Sequence, residues 1–340
     1  MKKYTLIILA ALSLFGCRKT DISTDMESGF IAFAVKSNWD DSEKLSRGLV
    51  SSETDMHDSS FGVVARFSSG NSYSYANSYT SFSNDVPIGY SGGAWTYSPL
   101  RYWHPGCTYR FRAVWPKNAV TTFSDDLEST MALTGFTVSS VQANQVDLML
   151  TDRVERTTPA TIPDNYSAVA LSFQHLLCCV NVKIAKHTDA DDDDTFTVTG
   201  VSLSGMKNSG TYNLASGDAK SGTWDVSTGG NMICTRNLSP ALTLQKTGWN
   251  SISPIWGNDG LLLIPQDLNN VKLLVSYSIT HDGNTTQKSV SIDLPTTSPW
   301  TAGSKLMYQL SINEKYQIVM GTPEVKPWGT SPSTGSILIK

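Results

Sequence analysis

VKLLVSYSITHDGNTTQKSVSIDL, residues 271–294, alternates apolar and polar side chains on either side of a central Asp282-Gly283. Val271, Leu273, Val275, Tyr277 and Ile279 fall on one face of the outgoing half, and Val290, Ile292 and Leu294 on one face of the return. A period of two is that of an extended strand, whose successive side chains point to opposite sides. Asp-Gly at the midpoint supplies the positive φ angles of a two-residue hairpin turn, so the stretch reads as a β-hairpin with its register set by its own pattern.

The same period recurs outward from this hairpin. Leu306, Tyr308, Leu310 and Ile312 are spaced by two, and in Phe196 to Leu203 the apolar parity changes across Gly200, which predicts a β-bulge or bend there. In Tyr109 to Trp115 the rings of Tyr109, Phe111 and Trp115 share one face while Arg110 and Arg112 share the other, predicting one packed and one wet face, with Pro116 ending the strand. Leu171 to Ile184 and Leu261 to Ile264 are apolar on both faces for part of their length, as central strands of a sandwich are. With Gly, Pro, Ser and Asn between the runs and almost no amphipathic helical window, the chain reads as all-β.

A Thr-, Pro- and Asp-rich loop from Thr151 to Asn165 separates an aromatic-rich first half from the second. The length exceeds what one core usually organises, so two β-sandwich domains are expected, residues 48–160 and 161–340, with no internal repeat of fixed period.

The N-terminus reads as an export signal, residues 1–17. Lys2 and Lys3 precede an apolar run from Thr5 to Phe15 that is too short for a stop-transfer helix. It ends in Leu14-Phe15-Gly16-Cys17, the pattern of a lipoprotein signal peptidase site, which makes Cys17 the acylated first residue of the mature chain. Several acyl chains hold a protein durably, since each buried methylene adds about 0.8 kcal/mol. Residues 18–47 form a polar segment with one early strand at Phe30, Ile31, Phe33 and Val35, followed by Asp40 to Gly48, which has little to bury and is expected to be exposed to proteases.

The balance of 26 basic against 30 acidic residues, net −4, with no basic stripe, argues against a nucleic-acid partner. Cys107, Cys178, Cys179 and Cys234 lack the spacing of a disulfide framework or zinc site and read mainly as small core residues, the alternative being a bridge from Cys178 or Cys179 to Cys107 or Cys234. There is no GxSxG, HExxH, Walker loop, GxGxxG after a strand, or CxxC, and the five histidines are not at metal-ligand spacing, so neither an enzyme, a metal site nor a cofactor is expected. His175 reads as a hydrogen-bonded histidine of an apolar strand rather than a catalytic base. The acidic run Asp189 to Asp194 lacks the Gly and terminal Glu of an EF-hand and reads as a solvated loop. Trp95, Tyr97, Tyr102 and Trp103 read mainly as aromatics of a strand core, the alternative being that they are dense enough to stack on sugar rings.

Several segments together resemble the fimbrillin family of lipoprotein pilins of Gram-negative anaerobes. They are Leu14 to Cys17; Trp95 to Trp103, similar to the family's W-x-Y-x-P-x-x-Y-W; Tyr109 to Ala113; Leu171 to Leu176, like an F-x-H strand opening the second domain; Leu263 to Gln266; and Trp300 to Gly303. The resemblance implies two transthyretin-like β-sandwiches, a lipid anchor in the outer membrane through Cys17, and a fimbrial subunit that adheres to a host or bacterial surface ligand. It also implies an arginine-specific cut, here between Arg47 and Gly48, that discards the first strand. Another subunit's C-terminal strand then fills the groove. Candidates for that donor are Ile318 and Val319, Val325 to Trp328, and Ile337-Leu338-Ile339; the alternative is that these complete the second domain's own sheet.

Overall fold

The computed structural model describes residues 29–36, 50–215 and 217–328. Cys17, Arg47, Gly48, Ile337, Leu338 and Ile339 lie outside the described residues. The described chain is all-β apart from short 3₁₀ turns, as the period-two pattern predicts. None of its helices is long and apolar enough to cross a membrane, and none of its His, Cys, Asp and Glu groupings could hold a metal ion.

The hairpin forms as read. Lys272–His281 pairs antiparallel with Asn284–Asp293, Val275 faces Val290 and Leu273 faces Ile292. The turn residues take positive φ, 45° at Asp282 and 76° at Gly283. This hairpin joins Thr195–Lys207 and Asn231–Thr243 in a four-stranded sheet, and both ladders along Thr195–Lys207 shift register between Val198 and Gly200, the bulge that the parity change predicts. A five-stranded sheet holds Cys178–Lys186 at its centre, between Leu261–Leu263 and Ser304–Ile312; two short strands, Ile318–Met320 and Glu324–Pro327, lie on the far side of Ser304–Ile312. All four cysteines of the described residues are buried, as the core-residue reading expects. Burial pushes the Cys178 thiol well up and the Cys234 thiol to about 11.

A seven-stranded sheet organises the first half. Its order runs Phe33–Lys36, Val169–His175, Met149–Thr151, Cys107–Trp115, Gly62–Ser69, Ser78–Ser83, with Val154–Thr157 also on Cys107–Trp115. Val169–His175 thus belongs to this sheet, and a division of the chain at 160/161 cuts across it. Ser209–Leu214 likewise reaches back to pair with Met131–Thr137 in a second four-stranded sheet. Buried apolar side chains nonetheless form two clusters, one from Ile31 to Phe173 and one dominated by residues beyond Leu176.

The strand Cys107–Trp115 corrects the expectation of a wet face. Tyr109, Phe111 and Trp115 enter one cluster, but Val114 enters the other, because the Thr122–Asp125 and Met131–Thr137 strands cover the opposite side of the sheet. Arg112 is therefore 1% exposed and pairs with Asp125, 2% exposed, at 2.6 Å. Burial pushes the Arg112 guanidinium down and the Asp125 carboxyl up, and the charge of each partner opposes both shifts.

Candidate strand-exchange site

The first strand is held as an insert between two chain segments. Phe33 to Lys36 run parallel to Val169 to Ser172, and the amide of Val169 donates to Ala32 O at 2.8 Å. On the other side Ile31 N donates to Arg101 O at 2.7 Å, Trp103 N donates to Gly29 O at 2.9 Å, and Phe30 bridges to Tyr102. Residues 29–32 are thus held by backbone bonds to the 101–103 segment and to Val169, and Phe33–Lys36 is paired along one edge with Val169–Ser172.

Alternation sends Ile31, Phe33 and Val35 into the core, exposed by 0%, 5% and 7%. The Phe33 ring meets Phe82 at 5.5 Å, Phe61 at 5.9 Å and Phe111 at 6.2 Å edge-on, and Tyr97 at 5.9 Å tilted. Three such side chains contribute roughly 1.5–3 kcal/mol each, so burial of the strand is worth on the order of 6 kcal/mol before ordering costs. A single extended segment carrying bulky apolar residues at every second position fills this groove.

The segment Trp95 to Trp103 builds the groove's wall. Tyr97 Oη donates to Ile31 O at 2.7 Å, and burial pushes that phenol up to about 12. Trp95 donates its indole N–H to Glu53, and Trp103 packs edge-on against Tyr109 and Phe111 under the Arg156 guanidinium. Trp95, Tyr97 and Trp103 are buried, in keeping with the core reading, and offer no open ring face to a sugar, which removes the stacking alternative for these three. Tyr102 alone of the four is exposed.

Of the donor candidates, Ile318 and Val319 lie in Ile318–Met320 and Val325 in Glu324–Pro327, both antiparallel on Ser304–Ile312. They form an edge of their own chain's sheet, with Val319 and Val325 exposed. Trp328 closes this arm. Its amide donates to Gly303 O at 2.7 Å, and its buried indole lies flat on the His175 ring at 3.8 Å.

His175 is buried at the end of its strand with Nδ1 2.8 Å from Asp147 Oδ2. The Asp147 partnership, like that of Asp125 with Arg112, is absent from the sequence reading. The available signal was the histidine itself, since an imidazole in an apolar strand requires a buried polar partner somewhere in the chain. The acidic run Asp189 to Asp194 is tied down at both ends. His187 Nδ1 lies 2.6 Å from Asp189, and buried Asp194 sits 2.8 Å from His281 Nδ1.

The sequence profile of the fimbrillin-like family matches residues 35–328. No curated protein matches. Among solved structures, a fimbrial protein from Bacteroides vulgatus is 17% identical, over 88% of this chain and 99% of that one, with a TM-score of 0.59. A protein from Parabacteroides distasonis named for cell adhesion is 13% identical over 88% of this chain and 98% of its own, with a TM-score of 0.49. Another so named, from Bacteroides ovatus, is 13% identical over 88% and 97%, with a TM-score of 0.48. The Bacteroides vulgatus likeness is one of fold.

Proposed function

Because the chain belongs to the fimbrillin-like family, we propose that it is a subunit of a cell-surface fimbria, joined to its neighbours by strand exchange and contributing to adhesion. The precursor is anchored in the outer membrane through acyl chains on Cys17, and an arginine-specific protease cuts between Arg47 and Gly48. The observation that carries the exchange is the way the first strand is held. Residues 29–36 lie before the processing point, and among the described residues their backbone and alternate side chains meet residues after it. Their departure leaves unpaired strand edges beside an aromatic-walled groove, and an incoming strand satisfies both at once.

The donor is the C-terminal arm of another copy, from Ile318 to Trp328 or the apolar Ile337-Leu338-Ile339. Both carry the apolar residues at alternate positions that the groove accepts. In the test, purified chain is cut after Arg47, concentrated, and run in detergent with and without heating. Strand exchange yields a ladder of oligomers that collapses on heating; cut chains that stay monomeric at high concentration refute it.

A further inference from the structure

Three segments far apart in sequence meet at one buried carboxylate. Asp147 is 0% exposed, and its Oδ2 lies 2.8 Å from His175 Nδ1 and accepts the amide N–H of Val50 at 3.3 Å. A carboxylate in that position makes Nδ1 the protonated, donating nitrogen and fixes the ring's orientation. The Trp328 indole lies on the face of that ring, 3.8 Å between centroids and 8° between planes.

Each of the three segments has a part in strand exchange. Val50 is two residues beyond the proposed new N-terminus at Gly48. His175 ends the strand whose beginning, Val169 to Ser172, is the parallel partner of the first strand. Trp328 ends the arm proposed as donor. From this convergence, and resting on the strand-exchange reading, we infer that the Asp147–His175 pair is a latch that couples loss of the first strand to release of the C-terminal arm.

Apart from the stacked ring, the arm is held by its short ladder on Ser304–Met307 and by the Trp328 N–H bond to Gly303 O. All four residues of Glu324–Pro327 are exposed, and Pro327 has no N–H to give its neighbour. The Trp328 indole N–H is buried with no acceptor among the described residues, which subtracts from the gain of burying the ring. Docking therefore depends on the stacking platform beneath it. Cutting after Arg47 turns the segment before Val50 into a chain end and loosens one contact to Asp147. Departure of the first strand removes the partner of residues 169–172 of the strand that carries His175, leaving that strand held only on its Met149–Thr151 side. Both changes act on the ring under Trp328, and a stacked pair loses its contact when one plane tilts.

The test is hydrogen exchange of the full chain, read on peptides covering residues 322–328, before and after a cut following residue 47. The cut is made by an arginine-specific protease or, in a variant carrying a foreign protease site at residues 44–47, by the enzyme that reads it; Arg47→Ala with the first protease is the uncut control. Exchange in the arm rises at least tenfold on cutting and departure of the first strand. It rises equally in uncut His175→Ala and uncut Trp328→Ala, while peptides of Cys107–Trp115 keep their protection. Equal arm exchange in intact and cut chain overturns the latch, as does a polymer that forms while the arm stays protected in free subunits. An arm released without any polymer forming leaves the latch standing and overturns strand exchange instead.

Discussion

Replacing Phe33 by Ala isolates the grip of the groove on its strand. The ring is 5% exposed and sits among Phe61, Phe82, Tyr97 and Phe111 at centroid distances of 5.5 to 6.2 Å. Transfer of the ring from water is worth about 2–3 kcal/mol, and edge-on aromatic contacts add about 0.5–1.5 kcal/mol beyond area. The rigid surrounding rings collapse poorly into the space left behind, so the loss falls at about 3–5 kcal/mol, the range of buried Phe→Ala substitutions. Two hydrophobic clusters predict two unfolding transitions, so calorimetry of the uncut chain is the suitable assay. The transition of the first cluster is expected to fall by roughly 10 °C, with the second little changed. In cut chain, the same loss weakens retention of the severed strand by about 10²–10⁴-fold, readable by dialysis followed by mass spectrometry. A shift below about 2 °C with unaltered strand retention would show that the strand is not anchored by this ring, and the groove argument would fail with it.

Arg112→Met alone leaves the Asp125 carboxylate buried without its cation and should cost about 3–5 kcal/mol in thermal unfolding, whereas Arg112→Met with Asp125→Leu should recover most of it. A double variant as unstable as the single one would contradict the burial of this pair. The hydrogen bond to Asp194, with the nearby Asp282, holds the pKa of His281 above its ordinary value of 6.5. The contribution of a group raised on folding is fully present below its unfolded pKa and is lost as pH rises through the folded one. Stability measured from pH 6 to pH 8 should therefore fall more steeply in the native sequence than in His281→Gln; identical slopes would rule this out.

The site was half legible. The alternation at Ile31, Phe33 and Val35 identified the first strand, and it is indeed inserted by those residues. The aromatic run Trp95 to Trp103 reads mainly as core, with sugar stacking as the alternative, and three of its four named rings are buried. A dense aromatic cluster signals a large apolar payload, but burial decides whether the rings face a ligand or another strand, and here three of them line the groove. His175 was recognisable as a histidine needing a partner. Asp147 was not, because nothing in its local sequence distinguishes a buried carboxylate from a solvated one.

Period-two alternation, the Asp282-Gly283 turn and the parity break at Gly200 are local properties, and they were sufficient to determine strands, hairpin register and the all-β class. They act through backbone sterics and side-chain direction within a few residues, which any sequence displays openly. What covers each face is settled only when distant segments meet. Arg112 became a buried ion because the Thr122–Asp125 strand closes over it, and Val169–His175 joined the sheet of the first half because it pairs with Met149–Thr151 on one side, its other edge then taking Phe33–Lys36. Those pairings join segments that local alternation does not link, where the pattern says which side chains must be buried and nothing about what buries them.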